Sequence, residues 1–154
     1  MVGLGFMAAT HLKAYREVEG AEIVALCNPS GNRLDGDFSQ VGGNVGDHEP
    51  IRLKAGSFKA FTSYKEMLLD PEVDAIDICS PTFVHRELAV LALNAGKHVL
   101  SEVTSFHTMA EGVRLVEAVE ASGKVYHLSE NYPFSAANMW LARKWREGLF
   151  GELM

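Results

Sequence analysis

The residues best placed to do chemistry open the chain. Gly3-Leu4-Gly5-Phe6-Met7-Ala8 reads G-x-G-x-x-A, a form of the turn that cradles a dinucleotide pyrophosphate. Gly3 permits the tight turn and Gly5 lets backbone come close to a phosphate. Ala8 is small enough for a helix to pack closely on a strand. The helix that begins with Phe6 and Met7 points its free N–H groups and its dipole at bound phosphates.

Further polar groups follow the ends of apolar runs. After Ala21–Cys27 comes Asn28-Pro29-Ser30-Gly31-Asn32-Arg33, with Asn28 twenty residues beyond Ala8. An acidic residue near there would hold the adenosine ribose of NAD. Asn28 is neutral and would not repel a 2′-phosphate, while Ser30 and Arg33 could donate to one. The same residues also spell an ordinary turn. After Val73–Cys79 come Ser80, Thr82 and His85. The two hydroxyls stand where a cofactor should lie, Thr82 doubling as a helix N-cap. His85 reads on its own as a surface histidine within reach of that cofactor. After His98–Val103, Glu102 is either a ribose acceptor or an exposed loop glutamate. After Lys124–Leu128, Asn131 and Tyr132 line the same edge.

The elements that must position these groups are legible from periodicity. The apolar runs favour Val, Ile and Leu with little polar alternation, as strands covered on both faces do, and Lys59–Phe61 is a short extra one. Helical spacing fills the gaps: Ala8, Leu12 and Tyr15; Val84, Leu88, Leu91 and Ala95 ahead of Gly96; Val113 and Val116 on one face of a helix ended by Gly123; Leu141 and Trp145 within 136–146. Ser63 with Glu66, and Thr108 with Glu111, form capping-box pairs. The alternation predicts an α/β fold, a Rossmann-type doubly wound parallel sheet. Two features break the rhythm. Asp35–Ser57 is glycine-rich and aperiodic, a long loop or insertion. Only Met1 and Val2 precede Gly3, so the first strand is expected to be cut short.

Bulk properties narrow the partners. A chain of 154 residues suits one domain, and a formal net charge of -6 without a basic run argues against nucleic acid. No apolar stretch is long enough for a bilayer and no signal peptide is visible, so a cytoplasmic protein without membrane contact is expected. Cys27 and Cys79 are isolated buried thiols, neither a disulfide framework nor a zinc site.

The order of motifs, G-L-G-F-M-A, C-N-P-S, S-Y-K-E-M-L-L-D-P-E-V-D-A-I-D-I-C-S-P-T-x-x-H, A-G-K-H-V-L-S-E, E-N-Y and G-L-F-G-E-L, resembles the glucose–fructose oxidoreductase, inositol dehydrogenase and rhizopine-catabolism family (Gfo/Idh/MocA). The resemblance implies NAD or NADP as cofactor, with Asn28, Ser30 and Arg33 tilting the expectation slightly to NADP, and hydride transfer to or from a sugar or cyclitol-like substrate. It implies a cofactor domain over residues 1–150, with 151–154 starting a second α/β domain absent from this chain. That domain would carry the catalytic histidine, most of the substrate site and the contacts of a homo-oligomer. No catalytic residue is therefore assigned here, and no metal is expected. Gly3, Gly5 and Ala8 would hold the pyrophosphate; Asn28, Ser30 and Arg33 would lie at the adenosine ribose. Ser80, Thr82 and His85 would lie along the cofactor, Glu102 near the nicotinamide ribose and Asn131 near the nicotinamide. One departure stands out. The family's Glu-Lys-Pro reads Glu102-Val103-Thr104, and valine can neither donate a hydrogen bond nor shuttle a proton. Glu102-Val103 with Glu130-Asn131 also looks like a branch of NAD-dependent glycosidases. A nucleotide-binding module without catalysis is the remaining alternative.

Overall fold

The apolar runs become strands, all but Lys59–Phe61 shorter than their runs. The computed structural model describes residues 1–42 and 49–152. In chain order it contains α1 (Phe6–Tyr15), β1 (Ala25–Cys27), β2 (Lys59–Phe61), α2 (Tyr64–Leu69), β3 (Ala75–Ile78), α3 (His85–Asn94), β4 (His98–Ser101), α4 (Met109–Ser122), β5 (Tyr126–Leu128) and α5 (Ala136–Arg146). Every ladder is parallel: β1 pairs with β2, and β4 lies between β3 and β5.

Val2 joins the two parts, bridging Cys27 on one side and Ile78 on the other. Its N–H donates to Asp77 O at 2.8 Å and its carbonyl accepts from Cys79 N at 2.9 Å. Cys27 N donates to Met1 O at 2.9 Å and Gly3 N to Cys27 O at 3.1 Å. The spatial order is thus β2, β1, Val2, β3, β4, β5. Met1 and Val2 stand where the central strand of a doubly wound sheet belongs, and the order reverses there.

Side chains alternate across the pleat and divide the core in two. Val2, Ala25, Cys27, Ile76, Ile78 and Val99 face α2, α3 and α4 through Met67, Ala89, Ala92, Leu93 and Leu115. On the other face Met1 and Leu26 pack with Leu4, Ala8 and Leu12 around α1. The aperiodic 35–57 stretch is less loose than its composition implies. Its Phe38 and Ile51 are buried in that second cluster, and Asp37 pairs antiparallel with Arg52. Residues 43–48 of it lie outside the described residues.

Local signals set most boundaries. Thr108 and Glu111 form a full capping box, and Gly123 closes α4 at φ 63°. Ser63 Oγ accepts from Glu66 N. Two expectations need correcting. Val113 and Val116 are exposed, and α4 instead buries Gly112, Leu115 and Ala118. The buried stripe lies one position back along the helix, where Gly112 leaves room for the Phe106 ring. Helix α5 has the expected bounds yet buries nothing, leaving Trp140, Leu141 and Trp145 exposed.

Candidate functional site

The glycine turn meets the loop after β3 at van der Waals limits. A Cβ on Gly3, which has φ 80°, would lie 2.5 Å from Ser80 N and 2.6 Å from Ser80 Cα and Oγ. No side chain fits there, so glycine is obligatory on two counts. Gly5 is the N-cap of α1 and brings no side-chain cap to the helix amides. Its own Cβ position has nothing within 4 Å. Bare amides behind an open approach suit an anion. Ala8 is fully buried, while Phe6 and Met7 remain partly open.

The turn after β1 is exposed and self-contained. Asn28 Oδ1 accepts from Ser30 N at 3.3 Å and Ser30 Oγ at 3.1 Å, and Asn28 Nδ2 donates to Asn32 O at 2.8 Å. Arg33 leaves it with φ 61° and donates from Nη1 to Leu4 O at 2.9 Å. Its guanidinium therefore sits beside the glycine turn.

The loops after β3 and β4 are knitted together. His85 is not a surface histidine: it is 1% exposed. Its Nε2 lies 2.6 Å from Ser80 O and its Nδ1 3.0 Å from Thr104 O. The sequence hid this because Thr104 is nineteen residues away. Thr82 is exposed and opens the 3-10 turn Thr82–Val84 instead of capping α3, whose N-cap is Val84. Glu102 is buried, not an exposed loop residue. Its Oε2 accepts from Val103 N at 3.2 Å. Asn131 is exposed beside Tyr132, its carbonyl accepting from Phe134 N at 3.1 Å.

Two residues escaped the sequence reading. His11 on α1 lies 2.9 and 3.1 Å from the Asp77 carboxylate through Nδ1, and 2.9 Å from Glu102 Oε1 through Nε2. The available signals were a histidine three residues past Ala8 on the sheet-facing stripe and an aspartate inside the run Ala75–Ile78. Burial disfavours the charged ring, but hydrogen bonding and charge from Asp77, then Glu102, outweigh it and raise His11 above its ordinary value. Burial, with Asp77 next, pushes the Cys79 thiol well up, so it stays protonated. His11, Asp77 and Cys79 bring ligand-type atoms within 4.8 Å of one another. Each atom already has a partner, Cys79 Sγ lying 3.5 Å from both His11 Nδ1 and Asp77 Oδ1. The group is complete as a hydrogen-bond network.

A parallel sheet with Val2 at its switch point, a glycine turn heading α1 and polar loops along one strand edge define a Rossmann-type nucleotide-binding domain. Residues 1–130 match the oxidoreductase family with an NAD-binding Rossmann fold (GFO_IDH_MocA), and the chain belongs to that family. It is similar to D-apiose dehydrogenase of Paraburkholderia graminis, 29% identical over 154 residues, covering 98% of this chain and 36% of the relative. It is equally similar to a glycosyl hydrolase family 109 protein of Shewanella pealeana, 29% identical over 153 residues, covering 99% and 32%. The chain thus spans about a third of these curated relatives. In fold it resembles the WlbA dehydrogenase of Bordetella pertussis, solved with NADH and UDP-GlcNAcA, with a TM-score of 0.80 at 23% identity over 97% of this chain and 42% of that one. No helix among the described residues is long and apolar enough to cross a membrane.

Proposed function

We propose that this chain is the cofactor-binding part of an NAD(P)-dependent oxidoreductase that moves hydride between the nicotinamide and a sugar or cyclitol-like substrate. The observation that carries this is the glycine turn. Gly3 is pressed against Ser80, and the open Gly5 heads α1 with uncapped amides at the sheet's switch point. The cofactor fits that cradle. Gly3, Gly5, Phe6, Met7 and Ala8 would hold its pyrophosphate. Asn28, Ser30 and Arg33 would meet the adenosine ribose, and Ser80 and Thr82 the middle of the molecule. Glu102 and Asn131 mark the nicotinamide end, while His85 works from behind by fixing Ser80 and Thr104. When bound, the nicotinamide supplies the redox chemistry, and the protein contributes position and electrostatics.

No carboxylate stands in the 28–34 stretch after β1 to repel a 2′-phosphate, and Arg33 is anchored beside the glycine turn with its side chain exposed. This favours NADP(H) slightly over NAD(H). Residues 1–150 form the cofactor domain, and 151–154 begin a second domain that holds the substrate site and oligomer contacts. The uncovered apolar residues of α5 support such a neighbour. Free Cys27 and Cys79 agree with a reducing, cytoplasmic setting. A fluorescence titration with NADH and NADPH tests the reading: tight binding of either supports the cofactor site, and binding of neither removes it. NADPH should bind more tightly, by a margin that shrinks in Arg33→Ala.

The family 109 relative and Val103 in the lysine position favour a second reading, a glycosidase that recycles its bound dinucleotide within each turnover. Cofactor absorbance separates the two. A dehydrogenase changes it in proportion to substrate consumed; a recycling glycosidase leaves no net change.

A further inference from the structure

We propose that His11 is a positioning residue of the dinucleotide site: bound to Asp77 through Nδ1 and to Glu102 through Nε2, it holds the Glu102–Thr104 segment in register with the glycine turn. This rests on reading the strand edge as a dinucleotide site.

The contacts form a closed circuit. Helix α1 begins at the glycine turn, and His11 projects from it to Glu102 Oε1 at 2.9 Å. Glu102 Oε2 takes the Val103 N–H at 3.2 Å. The next residue, Thr104, presents its carbonyl to His85 Nδ1 at 3.0 Å, and His85 Nε2 reaches Ser80 O at 2.6 Å. Ser80 in turn backs Gly3 so closely that a Cβ there would overlap it. Three strand-end loops are therefore fastened to one another by two imidazoles. His11 is the link that ties the helix holding the pyrophosphate to the loop at the nicotinamide end.

The chemistry of that link requires a proton. Carboxylate oxygens only accept, so both ring nitrogens of His11 must donate, which makes it an imidazolium. Without that cation Asp77 and Glu102 would face a neutral ring, and one of the two bonds would be lost. Among the described residues, the titratable groups facing the ring are Asp77 on β3, Cys79 just beyond it and Glu102 after β4, with Tyr15 of α1 and the Met1 amine acting on Asp77.

The test uses the full chain, titrated with NADH and NADPH between about pH 5.5 and 9, as wild type, His11→Gln and Glu102→Gln. Wild-type affinity should fall as pH rises above the ordinary histidine range. Both variants should bind about 10-fold more weakly or worse, as expected for a lost hydrogen bond to a charged group. They should also lose the alkaline fall, which a purely structural role would not remove. Nitrogen-15 spectra should show both His11 ring nitrogens protonated near neutral pH. A folded His11→Gln chain with wild-type affinity and pH profile overturns the proposal while leaving the cofactor site intact. If that variant does not fold, a flat wild-type profile or a neutral His11 ring overturns it. A wild type that binds no dinucleotide at any pH removes the underlying reading and this inference with it.

Discussion

The turn after β1 and the joint between β3 and β4 lie on the same edge of one sheet and are built on opposite plans. The turn is exposed, and Asn28 satisfies its neighbours over two to four residues of chain. The joint is buried, and its bonds span 66 and 91 residues, from His11 to Asp77 and Glu102. A local, solvated bond is easily replaced by water. A buried charged bond is not, because its partner is left unsatisfied. One region of the edge can therefore vary in sequence with little cost in stability, whereas the other cannot.

Substitutions sharpen that contrast. Gly3→Ala should act most strongly, since it adds a left-handed penalty to an overlap with Ser80 backbone; we expect a loss of about 4 kcal/mol in thermal or denaturant unfolding, with dinucleotide binding abolished. His11→Ala should follow at about 3 kcal/mol, because two buried carboxylates lose their cation. The same pair predicts a direction with pH. His11 is raised in the folded state, so its contribution is complete below about pH 6.5 and is lost as pH rises through the higher folded value. Unfolding scans should show that alkaline loss in wild type and its absence in His11→Ala. Asn28→Ala should come last, at no more than about 1 kcal/mol. An Asn28 effect as large as that of His11 would break the comparison.

The same division explains what could be read from sequence. The exposed turn, the capping box at Thr108 and the bounds of α5 depend on neighbours a few residues away, and the sequence spells them out. The α/β alternation is legible too, because strand and helix leave different periods. The burial of His85 and the Asp77–His11–Glu102 bridge depend on which strand ends meet, which no local pattern records. Val113 and Val116 misled for a related reason: their spacing suits a buried face, but the partner helix decides which face that is. Aperiodic composition likewise hid the anchoring of Phe38 and Ile51.

Val2 has a mechanical consequence. Met1, Val2 and Gly3 hydrogen-bond to β1 on one side and to β3 on the other. The glycine turn is therefore moored to both halves of the sheet at once. Any ligand drawn to that turn should slow amide exchange at Cys27 and Cys79 together, although the two lie on different strands.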